Sequence, residues 1–162
     1  MPTKFLTACL SFYVTMAQAI PCDSPTYRQF DFWLGNWQVT NTQNTNKSIS
    51  KISQVNNGCT LLEEYETPTG YVGKSLNIYD ATSQKWHQTW TDNTGVLLQL
   101  DGQFNGTSMV LTGNTTNSAG NAILNRITWT PNQDGTVRQL WESSEDNGKV
   151  WQVLFDGLYS KA

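Results

Sequence analysis

The chain has 162 residues, 13 acidic against 10 basic side chains and a formal charge of -3. That length suits one domain with a real core and leaves no room for a two-domain enzyme built around a large cofactor. A weak negative charge without any Lys/Arg run argues against nucleic acid or an anionic membrane as partner, and the single histidine, His87, excludes histidine-rich metal sites.

At the amino terminus Lys4 precedes an apolar stretch from Phe5 to Met16, followed by Ala17-Gln18-Ala19. Basic, apolar and small-x-small segments in this order predict a secretory signal over residues 1–19, cleaved after Ala19, and a single domain over 20–162. The apolar stretch is shorter than the roughly 20 residues a permanent spanning helix needs, so no stable membrane insertion is expected. Leu6-Thr7-Ala8-Cys9 has the look of a lipobox, and lipidation there is the lesser alternative, because the motif falls early and leaves only eight residues for the basic and apolar segments. The expected destination is the periplasm or the exterior.

Cleavage would leave Cys22 and Cys59. In an oxidising compartment the simplest reading is a disulfide between them, and no Cys-x-x-Cys spacing suggests a reactive pair. After Cys22, Asp23 or Ser24 could cap a turn opened by Pro25. Tyr27, Phe30, Trp33 and Leu34 follow at helical spacing. One or two helical turns sealing the end of a barrel are expected here, before Gly35 releases the chain into a first strand around Trp37 and Val39.

Turn signals then recur at Asn56-Asn57-Gly58, Pro68-Thr69-Gly70, Asp80 to Ser83, Asp92 to Gly95, Asn105-Gly106, Thr116 to Gly120, Asn132 to Gly135 and Asp146-Asn147-Gly148. Such turns supply positive φ at little cost and favour tight hairpins. Between them lie candidate strands near 49–55, 60–67, 71–79, 85–91, 96–104, 107–114, 121–130, 136–143 and 149–157, which with the first makes about ten. The spacing leaves no room for crossover helices, so neighbours should pair antiparallel. Trp86, Gln88 and Trp90 share one strand face, with His87, Thr89 and Thr91 on the other. Ile123, Ile127 and Trp129 alternate with Arg126 and Thr128. Half-wet sheets give this pattern. A sandwich and a barrel both satisfy it, and the regular hairpin series favours an all-β, antiparallel up-and-down barrel with a short helical plug.

Phe30-Asp31-Phe32-Trp33-Leu34-Gly35-Asn36-Trp37 carries a resemblance. The chain resembles a family of uncharacterised, mostly bacterial exported proteins that open with Phe-Asp-Phe-Trp-Leu-Gly-x-Trp and look calycin-like, akin to lipocalins and fatty-acid-binding proteins. The resemblance runs on through Gly58-Cys59, Gly73 to Asp80, Trp86 to Trp90, Gln139 to Glu142 and Phe155 to Tyr159. It implies a barrel and brings no activity with it. It also implies that Trp33 and Trp37 pack at the closed end. Lipocalins cover the Gly-x-Trp tryptophan with a late Arg. Here no Arg follows Arg138, and Lys161 is the late basic candidate.

Polar residues set between aromatics suggest a binding site. Ser75, Asn77 and Tyr79 share a face of one strand, Trp86, Gln88 and Trp90 a face of the next, and Gln139 and Trp141 form a similar pair later. Turned inward, they would line a pocket with apolar walls and a few fixed hydrogen-bonding groups, as small-molecule sites do. A register slip would instead turn Val72, Leu76 and Ile78 inward, with Lys74 near the rim. The expected function is binding a small, mainly apolar or aromatic molecule, in a cavity of about 300 Å³ or more.

Two alternatives stand beside it. One is a barrel enzyme of isomerase, cyclase or hydrolase type, with Glu63, Glu64, Tyr65, Glu66, His87, Asp92 and Glu142 as available groups. Glu64 and Glu66 share a face and could pair. No nucleophile elbow, phosphate loop or His-Glu-x-x-His element is present, so no catalytic residue is assigned. The other alternative is a protein or glycan interaction module with exposed aromatics. Neither a metal nor another cofactor is expected; heme through His87 would rest on one histidine. Asn46, Asn105 and Asn114 begin glycosylation acceptor patterns, which matter only in a cell that uses them.

Overall fold

The computed structural model describes residues 22–162, so the expected signal segment, residues 1–19, lies outside the described residues. Ten antiparallel strands close on themselves: β1 (Gly35–Asn41), β2 (Lys47–Val55), β3 (Thr60–Glu66), β4 (Val72–Asp80), β5 (Lys85–Asp92), β6 (Leu97–Phe104), β7 (Met109–Thr116), β8 (Ala122–Pro131), β9 (Val137–Ser144) and β10 (Gln152–Lys161). Each strand pairs with its neighbours in sequence, and β1 closes the barrel against β10 through Trp37↔Lys161 and Val39↔Tyr159. The all-β antiparallel up-and-down barrel expected from the turn spacing is the fold.

The hairpins form where asparagine, aspartate and glycine allow them. Asp92 Oδ1 accepts the Thr94 backbone N–H at 2.8 Å, and Asn105 and Asn117 bind the backbone of their own turns in the same way. The last hairpin departs from expectation. After Asp146-Asn147-Gly148 the chain does not resume as a strand, because Asp146 Oδ1 also takes the N–H groups of Lys149 and Val150 and extends the loop. β10 therefore starts at Gln152 and runs on to Lys161, beyond the expected 149–157.

The expected helical turns are two short 3-10 segments, Pro25–Arg28 and Asp31–Trp33, which plug one end. Phe30 and Trp33 are fully buried there, stacked at 5.1 Å, with Trp86 and Trp129 edge-on to Phe30 at 5.6 and 5.2 Å. Polar contacts fix the plug. Trp37 Nε1 donates to Trp33 O at 2.8 Å and Trp86 Nε1 to Gln29 Oε1 at 3.2 Å, while Arg28 donates to the carbonyls of Cys22 and Gly58. Cys22 and Cys59 form a disulfide that ties the chain before the plug to the start of β3. Lys161 Nζ lies 3.6 Å from the Trp37 ring centroid and donates to Leu34 O at 2.8 Å, so the late cation does cover the Gly-x-Trp tryptophan.

The outer face carries Lys74–Glu64, Arg126–Glu142 and Arg138–Asp156 ion pairs at 2.8–2.9 Å, with His87 against Asp101. Among the described residues no helix is long and apolar enough to cross a membrane.

Candidate functional site

Ten strands make a wider barrel than eight, whose interior is just filled by side chains. The plug and its aromatics fill the extra width at one end only. Toward the other end a cavity of about 180 Å³ remains, lined by Glu63, Gln88, Trp90, Gln139, Trp141 and Tyr159, with Tyr65, Tyr71, Leu98, Ile127, Leu154 and Phe155 completing its walls and lip. It is smaller than the 300 Å³ expected of a carrier, a correction that limits the occupant. An apolar cavity near 150 Å³ holds benzene, so this one suits a single ring with one or two further atoms.

Backbone details shape the opening. A β-carbon on Gly73 would fall inside the Trp90 ring, so the missing side chain is what lets that indole lie across β4. In β10 the pairing with β9 shifts between Val153 and Phe155. The bulge leaves Leu154, 46% exposed, at the lip. Asp92 braces the rim by accepting the Tyr71 hydroxyl at 2.8 Å and Trp90 Nε1 at 3.3 Å. Desolvation opposes its charge, but the bonds from Thr94, Tyr71 and Trp90 outweigh that and hold its carboxyl well below the usual range. Tyr71 is pushed up in turn, by burial and by the aspartate it binds.

The chemistry converges on Glu63, which is only 2% exposed. Ser50 Oγ donates to its Oε1 and Ser75 Oγ to its Oε2, each at 3.0 Å. The Tyr159 hydroxyl lies 3.4 Å from Oε1 and makes a short hydrogen bond to Gln139 Oε1. Behind Ser75 the donors line up in one direction: Gln88 Nε2 donates to Asn77 Oδ1 at 2.8 Å, and Asn77 Nδ2 to Ser75 Oγ at 2.9 Å. Among the described residues no Lys, Arg or His pairs with Glu63. Complete burial therefore dominates and raises its pKa to about 7, although Ser75, Ser50 and Tyr159 all favour the charged form. Tyr159 is raised well above its ordinary value by burial and by the adjacent carboxyl, and Tyr65 is raised chiefly by burial.

The eight expected binding residues separate into three groups. Gln88, Trp90, Gln139 and Trp141 line the cavity. Ser75 and Asn77 are buried in the wall behind the cavity and meet it through Glu63 and Gln88. Tyr79 and Trp86 face inward but pack in the closed end, where Tyr79 meets Tyr27 at 5.3 Å and Trp86 meets Phe30. The alternate facing does not occur: Val72 and Leu76 are exposed.

The acidic candidates separate as cleanly. Glu64 pairs with Lys74 and Glu66 is exposed, so the two that share a face point to solvent. Glu142 binds Arg126, and His87 sits on the outer wall between Asp101 and Thr89, each 2.8 Å away. Glu63, the middle-barrel acid that the Glu64/Glu66 pairing passed over, is the one enclosed. Leu154, Phe155 and Tyr159 were not expected at the site at all. Among the described residues no cluster of His, Cys, Asp and Glu could hold a metal ion.

Compared with models of known protein families and with the curated proteins, the chain matches none.

Proposed function

We propose that this is an exported binding protein of the calycin-like type suggested by its Phe-Asp-Phe-Trp-Leu-Gly-x-Trp opening. It holds a small, mainly aromatic molecule in the open end of its barrel. The observation that carries the reading is the cavity itself, with Trp90, Trp141 and Phe155 in its walls and a single buried carboxyl at its inner end. Rigid aromatic walls give contact area at little ordering cost, and Gln88, Gln139 and Glu63 offer the few polar groups that orient a ligand. An interaction module built on exposed aromatics has less behind it: Trp33, Trp37, Trp86 and Trp129 are buried, and Trp90 and Trp141 face the lumen.

Native mass spectrometry of protein taken from its own exported fraction, before any ligand is stripped, should show a repeated small adduct. Trp90→Ala and Gln88→Ala should each weaken binding of that compound by about tenfold, the scale of one lost buried contact, as read by tryptophan fluorescence. His87→Ala, on the outer wall, should leave it unchanged. Clean apo protein that answers to no member of a panel of single-ring compounds would end the reading.

One observation favours a second reading. A carboxyl titrating at about 7 beside the Tyr159 hydroxyl is equipped for general acid–base chemistry. Turnover of a bound single-ring compound, abolished by Glu63→Gln without loss of binding, would establish it.

A further inference from the structure

From the placement of Glu63 among aromatic rings we infer that the lumen selects an organic cation, a small ammonium compound carrying an aromatic or aliphatic ring. This rests on the reading of the cavity as a ligand site and adds the charge of the occupant.

Three observations point the same way. First, Glu63 is a buried carboxyl that lines the cavity and has no cationic partner among the described residues. Removing a carboxylate from water without a counter-charge is costly, and the site itself supplies only hydroxyl donors. Second, those donors are arranged for the charged form. Ser50 and Ser75 both give their protons to it, and Asn77, held in turn by Gln88, donates to Ser75 Oγ and so directs that hydroxyl's one proton at the carboxylate. The wall is built to receive a carboxylate, yet leaves it without the charge that would settle it. Third, the aromatic rings of Tyr65, Trp90, Trp141, Phe155 and Tyr159 line the same small volume, and the face of such a ring is electron-rich. Such faces attract ammonium groups electrostatically, a gain that a neutral molecule of the same shape does not share. An anionic ligand would meet a like charge with nothing to offset it. The volume of about 180 Å³ admits one ring and a short ammonium arm.

The groups facing Glu63 are Ser50 from β2, Tyr65 on β3, Ser75 from β4 and Tyr159 from β10. Both tyrosines stay neutral through the physiological range, since each is raised above its ordinary value. The carboxyl alone therefore sets the pH response of the site.

The test compares benzylammonium with ethylbenzene, which has the same shape without the charge, and with benzoate, by calorimetry and tryptophan fluorescence on the intact protein. Benzylammonium should bind at least tenfold tighter than ethylbenzene, and benzoate should not bind. Its affinity should rise about tenfold from pH 6 to pH 8 as Glu63 ionises, while that of ethylbenzene stays flat. Glu63→Gln should remove both the preference and the pH response. Equal binding of benzylammonium and ethylbenzene, or a flat pH profile for the cation, would overturn the cation inference and leave the lumen as a site for neutral compounds. Failure of all three probes to bind the folded wild-type protein would overturn the site with it.

Discussion

Glu63 shows how one side chain can set the pH response of a whole barrel. Its folded pKa of about 7 stands above the 4.5 of an exposed glutamate, so between those values the native protein holds a proton that the unfolded chain has released. Its contribution is therefore fully present below about pH 4.5 and is lost as pH rises through 7, on the order of 3 kcal/mol in total. Urea unfolding at pH 5 and pH 8 should show this loss in the wild type. Glu63→Gln should flatten it, with the variant gaining on the wild type at pH 8 because it buries no charge. A wild-type profile that climbs from pH 5 to pH 8 would contradict the burial argument. Gly73 gives a second test at the same scale. Gly73→Ala must drive the Trp90 ring off its seat, at a cost of about 1–3 kcal/mol. The tryptophan emission should shift to the red and ring-compound binding should weaken. Unchanged emission and binding would mean that Trp90 does not need the gap.

The plug is the element that joins the sequence's most recognisable stretch to its stability. Phe30 and Trp33 have no exposed surface, and Trp33 is ringed by Phe30, Trp129 and Tyr159 at 5.1–6.0 Å. Trp33→Ala should cost about 3–5 kcal/mol by opening a cavity at the closed end. Reducing or replacing the Cys22–Cys59 link, which closes a span of 37 residues, should cost about 3–4 kcal/mol in the chain-entropy account. Thermal unfolding of Trp33→Ala and Cys22→Ser proteins measures both. A loss below 1 kcal/mol from either would show that the barrel stands without its plug. Much of this element was legible beforehand, because Pro25, the aromatic spacing and Gly35 leave few other structures for the segment. The site was less so. In β3, Leu61, Glu63 and Tyr65 alternate with Leu62, Glu64 and Glu66, so each face offers a leucine and an acid, and no periodicity tells them apart. Pairing decides it: Glu63 stands opposite Ser75 and Glu64 opposite Lys74, and that register is a property of two strands together. β5 shows the contrary case, since its tryptophans share one face and set its orientation unaided.

Closure joins the first strand to the last. Gly157 to Lys161 pair with Asn41 to Trp37, and no other strand can take their place. A chain ending after Asp156 would leave two unpaired edges and uncover Trp37. It should lose cooperative unfolding by circular dichroism and self-associate in size-exclusion chromatography; a monomer with a sharp transition would show that closure is dispensable. In the intact molecule the plug turns the tube into a cup. Whatever enters past Trp90 and Leu154 has no rear exit, and a newcomer cannot displace a resident from behind. Exchange must then proceed one occupant at a time, with a departure rate that stays constant however much competitor waits outside.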